Sequence, residues 1–342
     1  MSASAPIDDV PPALSDAPLF AGIEPHDVAR LEHFMARFEA AAGDHLFRQG
    51  DHSGVMHLIE RGRVEVQVDT HDGRARALAQ LGPGELLGEI SLLGADKRTA
   101  SALVLEPTSG WMLFRAAFET LRLDAGAGSV ELMARIAELA VARLRGRYEA
   151  IAGELADADA DAGVAPARAA QHAPVPASPK LFAPDYLHSL LCFREFHDHD
   201  QIAAAIGGAV PYELPRGATI DPSGRSGGEL LLVLRGAVDV SVRRGAMARR
   251  VRLAGPGRFV GHVGVLDGGP SPVVAHAREH VVLVALPGER LRAMARDPSA
   301  VARRFSAAIA ADTARALRQA ERPMARTSLG VLAAAAALAA AG

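Results

Sequence analysis

The chain has 342 residues, a formal net charge of −3 and a single cysteine, Cys192. Its length predicts two or three domains, and its 49% of hydrophobic residues excludes a wholly disordered protein. A single cysteine excludes an intramolecular disulfide and a cysteine-cluster metal site, and the nearly balanced charge argues against a strongly basic nucleic-acid binder.

Composition divides the chain into five segments. Residues 1–17 are rich in Ser, Ala, Pro and Asp and lack a basic start followed by an apolar run, which predicts a flexible N-terminus and no secretory signal. Residues 156–179 are dominated by Ala, Asp and Pro, which predicts a disordered linker between domains at 18–155 and 180–322. Residues 323–342 form an Ala-rich tail. Its apolar run is shorter than the roughly 20 residues that span a bilayer. We therefore expect a cytoplasmic protein, membrane-associated only if the chain continues past this tail.

The two domains repeat one pattern of glycines. Three glycines of the first domain recur 174 residues later, as Gly224, Gly228 and Gly236. Runs of alternating valine, such as Val64, Val66 and Val68, lie between turn residues and predict short antiparallel strands. The fold class expected is mainly β with flanking α, in which two β-jelly-roll domains each carry N- and C-terminal helices.

Helical patterns open and close each copy. His26–Asp27 and His199–Asp200 stand at equivalent helix starts, where Asp is a good N-cap, and this placement favours capping over metal binding for the nearby histidines. Apolar stripes predict a long closing helix in each copy, which packs back on its barrel or supports a homodimer. The stripe residues are Leu132, Ile136, Leu139, Leu144, Tyr148, Ile151 and Leu155 in the first copy, and Val301, Phe305, Ala308 and Leu317 in the second.

A chemically specific motif occupies residues 88–100 of the first copy. It reads Gly88, Glu89, Ile90, Ser91, then Arg98, Thr99 and Ala100. A glycine and a short helical turn expose backbone N–H groups to an anion, and an arginine fork meets two phosphate oxygens at once. A carboxylate accepts a hydrogen bond from a sugar hydroxyl. The pattern therefore suits a cyclic phosphodiester joined to a ribose.

Residues 88–100 resemble the phosphate-binding cassette of cyclic nucleotide-binding domains, as in catabolite activator proteins and protein kinase A regulatory subunits. The resemblance extends over residues 19–155 and implies that Glu89 binds the ribose 2′-hydroxyl and Arg98 the cyclic phosphate. It also implies that Gly88 and Ala100 offer backbone N–H groups. Ile90 matches the family motif, whereas Ser91 replaces its commonest residue, alanine.

Thr99 bears on the choice of base. In this family a hydroxyl just after the arginine accompanies cGMP binding or dual specificity, because it can bond the guanine amino group. Thr is also simply favoured at the start of a strand, so cAMP and cGMP both stay open as ligands. For the whole motif, the competing interpretation is that Glu89 and Arg98 form an ion pair in a jelly roll that binds nothing.

The second copy lacks both charged ligands. His262 stands where the acid belongs, Ser271 where the arginine belongs, and Pro272 replaces the small residue after it. Removing the charged partners of a buried phosphate costs on the order of 2–5 kcal/mol each. We expect a degenerate module that binds no cyclic nucleotide, with His262 at the surface.

No catalytic motif stands in a suitable context, so we expect no enzyme and no cofactor besides the ligand. The expected function is a sensor that couples cyclic nucleotide binding to a helix rearrangement and to regulation of an unidentified protein effector. The alternative is a DNA- or membrane-surface-binding regulator that acts through the second domain, since residues 216–322 hold 18 arginines and nine acidic residues. One predicted hairpin there carries Arg243, Arg244, Arg249, Arg250 and Arg252.

Overall fold

The computed structural model divides into two compact units, residues 1–92 with 96–132, and residues 93–95 with 133–342. The residues it describes are 13–52, 54–69, 75–94, 97–159, 175–176, 184–207, 209, 211–220, 228–245, 247–321 and 326–328. Most of the predicted linker, residues 1–12 and the Ala-rich end at 329–342 lie outside these ranges. The division after residue 132 falls inside a helix, so the domain boundaries expected from the sequence stay predictions.

The first unit is an antiparallel β structure flanked by helices. Its strands are β1 (Met35–Ala40), β2 (His45–Phe47), β3 (Val55–Asp69), β4 (Ala75–Leu81), β5 (Leu86–Leu87) and β6 (Ser101–Phe114). Its helices are α1 (Pro25–Glu32), α2 (Glu89–Gly94), α3 (Arg115–Leu123) and the start of α4 (Ala127–Asp159). Strands order as β1-β6-β3-β4, with β2 paired to β6 and β5 paired to β3. This places β5 and the start of α2 beside the middle of the sheet.

The second unit repeats this plan as two five-stranded antiparallel sheets, ordered β13-β10-β15-β8-β7 and β16-β12-β11-β14-β9. Its strands are β7 (Val175–Pro176), β8 (Pro211–Leu214), β9 (Thr219–Ile220), β10 (Glu229–Arg235), β11 (Val238–Arg244), β12 (Met247–Ala254), β13 (Phe259–Val260), β14 (Val273–Ala277), β15 (Val281–Pro287) and β16 (Arg326–Ser328). Its helices are α5 (Pro184–Ser189), α6 (His199–Ile206), α7 (His262–Val265), α8 (Gly288–Met294) and α9 (Ala300–Glu321). The two jelly rolls with flanking helices confirm the predicted fold class.

The repeated glycines have a steric reason. Gly62 and Gly236 both have a positive φ, at +91° and +81°, where side chains are strained. A Cβ on either would also lie 2.4 Å from a backbone oxygen, of Pro107 in one copy and His280 in the other. Each copy therefore needs glycine where its central strands approach most closely.

Each core is apolar and mostly aliphatic, as expected from the 4% of aromatic residues. In the first unit, Ile59, Val64, Leu87 and Val104 form one buried cluster. The second unit adds a group of rings in which Phe193 stacks on Phe305, with ring centroids 6.0 Å apart. These clusters hold the sheets from which the candidate sites project.

The flanking helices begin where the sequence predicts, with a different cap. The N-cap of α6 is Asp198, whose carboxylate accepts a hydrogen bond from the backbone N–H of Gln201, while Asp200 lies inside the first turn. Asp27 likewise lies inside α1, after Glu24. The two Asp residues predicted as caps therefore stand within the helices that they were expected to open.

The apolar stripes of the long helices are used inside the chain. Leu144, Tyr148, Ile151 and Leu155 of α4 are all buried, as are Phe305 and Leu317 of α9. Most of both stripes is therefore packed within the chain, while Leu139, Val301 and Ala308 are half-buried, and the homodimer stays a prediction. Among the described residues, no helix combines the length and apolarity that crossing a membrane requires.

Candidate functional site

The backbone of Arg98 is hydrogen-bonded to the turn that follows β2. Its backbone N–H donates to the carbonyl of Asp51 at 2.9 Å, and its own carbonyl accepts from the N–H of Gly50 at 3.0 Å. An isolated bridge pairs His52 with Lys97 in the same stretch. The chain around Arg98 is thus held like a short strand, which leaves the side chain to project toward the start of α2.

The Arg98 guanidinium contacts two carbonyls and a ring. Its Nη1 donates to the carbonyl of Gly88 at 3.2 Å, and its Nη2 donates to the carbonyl of Val55. Its central carbon lies 3.8 Å from the centre of the Phe47 ring, which is cation–π geometry. The Nε atom is buried and makes no hydrogen bond. A planar fork is therefore held in one orientation, with its Nε and the second N–H of each Nη not used in these bonds.

Gly88 lets the chain pass close to this arginine. Its φ is +88°, and a Cβ there would lie 2.4 Å from Nη1 of Arg98. Any other residue would therefore be strained and would displace the guanidinium. The sequence motif explains Gly88 by its exposed backbone N–H. The structure shows a second reason, which is that only glycine leaves room for the Arg98 guanidinium.

The acid and the arginine of the motif come together away from water. Glu89 has 0% of its surface exposed and Arg98 has 4%. Burial lowers the pKa of Arg98 to about 10, while the negative charges of Glu89 and Asp51 act in the opposite direction. A ligand that carries both an anionic group and hydroxyl groups would match this pair of opposite charges.

The remaining motif residues are buried or half-buried next to Glu89 and Arg98 in the chain. Ile90 and Ser91 are buried in α2, and the carbonyl of Ser91 accepts a hydrogen bond from Arg115 at 3.0 Å. Ala100 is buried and Thr99 is half-buried just after Arg98. The structure thus gathers Gly88, Glu89 and Arg98 directly, with the other motif residues next to them in the chain.

Four contributors to this site carry no local sequence signature. They are Phe47, Val55, His57 and Arg115, which reach Arg98 or α2 through strand pairing and through a bond from the start of α3. Phe47 and Val55 lie more than forty residues before Arg98 in the sequence. Periodicity and motif spacing report only nearby residues, so neither could have identified these four.

His57 is a titratable group beside Arg98 whose pKa is shifted strongly by its surroundings. It is buried between Phe38 and Phe47, with ring centroids 5.0 and 6.0 Å away, and its Nδ1 makes no hydrogen bond. Burial and, to a smaller extent, the positive charge of Arg98 together lower the pKa of His57 to about 4. The folded protein therefore holds His57 neutral.

Acid is expected to destabilise the first unit through His57. The unfolded chain takes up a proton near pH 6.5 and the folded chain only near pH 4, so stability is full above pH 6.5 and falls between these values. The free energy of unfolding is therefore about 2 kcal/mol lower at pH 5 than above pH 6.5. Chemical denaturation at pH 7.5 and pH 5.0 should show this loss, and His57→Gln should reduce it. An equal pH dependence in wild type and His57→Gln would contradict the assignment.

The second copy presents different chemistry at the matching positions. The Ser271 hydroxyl bonds only within its own strand region, donating to the carbonyl of Val273 at 3.3 Å. His262 is buried, so the expectation of a surface histidine is wrong. Burial lowers the pKa of His262, although a hydrogen bond and the charge of Asp312 oppose that effect.

An internal carboxylate explains why His262 is buried. Asp312 of α9 lies 3.2 Å from His262 Nε2, accepts from Arg252 at 2.7 Å and from the backbone N–H of Phe259 at 3.0 Å. Arg258 lies 3.5 Å away. Burial alone would raise the pKa of Asp312, but Arg252 and His262 outweigh it and hold that pKa well below its ordinary value. We call Arg252, Arg258, His262 and Asp312 the Asp312 cluster.

The basic hairpin of the second domain is less exposed than its sequence suggests. Arg252 is buried in the Asp312 cluster, and Arg249 is buried against Glu154 of α4 at 2.7 Å. Arg250 pairs with Asp239 at 3.6 Å, whereas Arg243 and Arg244 are exposed at the end of β11. Two of the five arginines are thus removed from any surface, which weakens the polyanion-binding alternative. No cluster with the composition of a metal site occurs among the residues described.

Comparison with known proteins finds one family twice. The model of the family described as cyclic nucleotide-binding domain matches residues 37–124 and 212–297, together about half of the chain. The chain is 38% identical over 102 residues to the cyclic AMP receptor protein of Thermus thermophilus, a match that covers 30% of this chain and 47% of that protein. A second relative, the acetyltransferase Pat of Mycolicibacterium smegmatis, is also 38% identical over 102 residues, which cover 30% of each protein. The matches therefore span less than half of either relative.

Among solved structures, the chain is similar to the regulatory domain of Toxoplasma gondii protein kinase A crystallised with cAMP. Identity is 17%, the match covers 85% of this chain and 91% of that one, and the TM-score is 0.30.

Proposed function

Because this chain belongs to the cyclic nucleotide-binding domain family, we propose that it is a non-catalytic sensor whose first domain alone binds the nucleotide. The observation that carries this proposal is the burial of Glu89 beside Arg98 in the first copy, against His262 and Ser271 in the second. The curated relatives named above bear on the matched domain only, so the activity and partner of the whole protein are part of the proposal.

In the proposed complex, the Arg98 fork binds two oxygens of the cyclic phosphate. Its Nε is already oriented and lacks a partner, which supports a further bond to an anion. Glu89 accepts a hydrogen bond from the ribose 2′-hydroxyl, while the N–H groups of Gly88 and Ala100 complete the phosphate contacts. Ile90, Ser91 and Thr99 form the surrounding wall.

The proposed output is a change in α4, followed by regulation of a protein partner in the cytoplasm. α4 starts at Ala127, three residues after the end of the first family match, and continues to Asp159. A ligand shifts such an equilibrium only by its difference in affinity for two states, so cyclic nucleotide must bind one arrangement of α3 and α4 more tightly.

Titration calorimetry of the full chain with cAMP, cGMP, cCMP and cUMP tests this function. We expect one saturable site per chain for cAMP or cGMP and none in the second copy. A stoichiometry of two would show that the second copy also binds, and no heat with any of the four nucleotides would overturn the proposal.

Thr99→Ala is expected to separate the two purine nucleotides. A hydroxyl at this position can bond the guanine amino group, and loss of one such bond lowers cGMP affinity by roughly 3- to 10-fold. The affinity for cAMP should stay within twofold, as measured in the same calorimeter. If both affinities are unchanged, Thr99 serves only the start of the following strand.

A further inference from the structure

A cavity of about 400 Å³ lies within the second unit, under the first turns of the α4 segment that belongs to it. Its wall is formed by α4, the residues just after α7, α8 with its C-terminal end, and α9. Apolar side chains dominate this wall, among them Val141, Leu266, Leu291 and Ile309, with Ala134 and Ala310 leaving room between the helices. We call this space the helix-lined cavity.

The polar groups of the wall already have partners inside the protein. The Thr313 hydroxyl donates to the carbonyl of Ile309 at 2.9 Å, and Arg292 donates to the carbonyl of Val265 at 2.5 Å. Ser306 donates to the carbonyl of Met294 at 3.5 Å. A guest would therefore meet mainly carbon surface, and apolar cavities of this kind hold apolar molecules better than water.

Ion pairs stand on two sides of the cavity and tie α4 to the rest of the unit. Arg296 bonds Glu138 of α4 at 2.9 Å, and Arg145 of α4 makes two bonds to Asp267, at 2.6 and 2.8 Å. Three charged residues of the wall, Glu138, Asp267 and Arg296, are thus held in ion pairs. A charged guest would have to break these pairs, whereas an uncharged guest would leave them intact.

The helix-lined cavity does not coincide with the nucleotide position of the second copy, although Leu266 and Asp267 of its wall lie between His262 and Ser271 in the chain. The residues that replace the phosphate ligands there, His262 and Ser271, are not part of its wall. Its volume lies within the roughly 300–1,000 Å³ of sites that bind small molecules.

We propose that the helix-lined cavity binds an uncharged, largely apolar small molecule, aromatic or aliphatic. Such a molecule adds carbon contacts between α4 and the α8–α9 pair and so stabilises this packing. The inference does not depend on nucleotide binding, since no residue of the 88–100 segment contributes to the wall.

The neutral naphthalene dye Prodan provides a direct test, because its emission shifts to the blue in apolar surroundings. Titrated into the full chain, it should show one saturable site. Ala137→Phe fills the cavity from α4 and is expected to weaken binding by about 10-fold or more. Ala142→Phe, the same change at an exposed position of the same helix, should leave binding unchanged.

Two further measurements keep this test decisive. Ala310→Leu fills the cavity from α9, so it replaces Ala137→Phe if that variant loses its cooperative thermal transition. The comparison of wild type with Ala137→Phe is repeated with saturating cyclic nucleotide, which fills the first domain, and the variant should again bind the dye about 10-fold more weakly. Equal dye binding by wild type and by a folded cavity-filling variant would overturn it, whether or not the protein binds nucleotides.

Discussion

Arg98→Ala is expected to abolish measurable binding of cyclic nucleotide at micromolar concentrations. The guanidinium is held by the carbonyls of Gly88 and Val55 and by the Phe47 ring, so its orientation is fixed before a phosphate binds. Two charge-assisted bonds are worth about 3–6 kcal/mol together, which corresponds to roughly a 100- to 10,000-fold loss of affinity. Titration calorimetry with cAMP and cGMP measures this loss.

The matched control lies at the same position of the repeat. Ser271→Ala in the second copy should leave affinity unchanged, because that copy is proposed to bind nothing. Arg98→Lys keeps the charge without the fork and should fall between wild type and Arg98→Ala. If Arg98 and Glu89 serve only as an ion pair in a ligand-free barrel, wild type will bind no nucleotide. The only effect of Arg98→Ala will then be a loss of stability.

Asp312→Asn is expected to destabilise the second unit by about 3–5 kcal/mol, since it leaves buried positive charge without compensation. Arg252, at 2% exposure, depends on this carboxylate and cannot turn to solvent as Arg258 can. The backbone N–H of Phe259 also loses a charged acceptor. Urea denaturation, followed by a probe placed in the second unit, measures the change.

Two comparisons separate lost charge from lost packing. Glu279→Gln, which removes one negative charge at an exposed position after β14, should change stability by less than about 0.5 kcal/mol. The double change Asp312→Leu with Arg252→Met should be more stable than either single change, because apolar groups can replace a buried ion pair but not half of one. Unaltered stability of Asp312→Asn would show that the cluster contributes nothing.

The fold and the closeness of Gly88, Glu89 and Arg98 were predictable because their determinants are local, whereas nucleotide binding by these residues stays a prediction. Alternating valines set the strands, and the glycines that recur at Gly62 and Gly236 stand where each copy needs a positive φ. The motif at 88–100 is nearly contiguous, so its members are neighbours in any fold that forms its turn. Its supporting partners Phe47 and His57 depend on strand register and could not be read from spacing.

The second domain shows where local patterns mislead. His262 was expected at the surface and Arg249 and Arg252 on a basic face, yet all three are buried. Their partners lie far along the chain, since Asp312 is 60 residues from Arg252 and Glu154 is 95 residues from Arg249. The net charge of a segment does not show which of its charged side chains form ion pairs with distant residues in the fold.

The lone thiol has a practical consequence for testing movement. Cys192 is buried in the core of the second unit, and burial raises the pKa of its thiol, so little reactive thiolate forms in the folded protein. New cysteines at exposed positions, such as Thr120 of α3 and Glu149 of α4, can therefore carry spin labels or fluorophores in an otherwise native chain. Distances between such labels, recorded with and without cAMP, would report directly whether α4 moves when nucleotide is added.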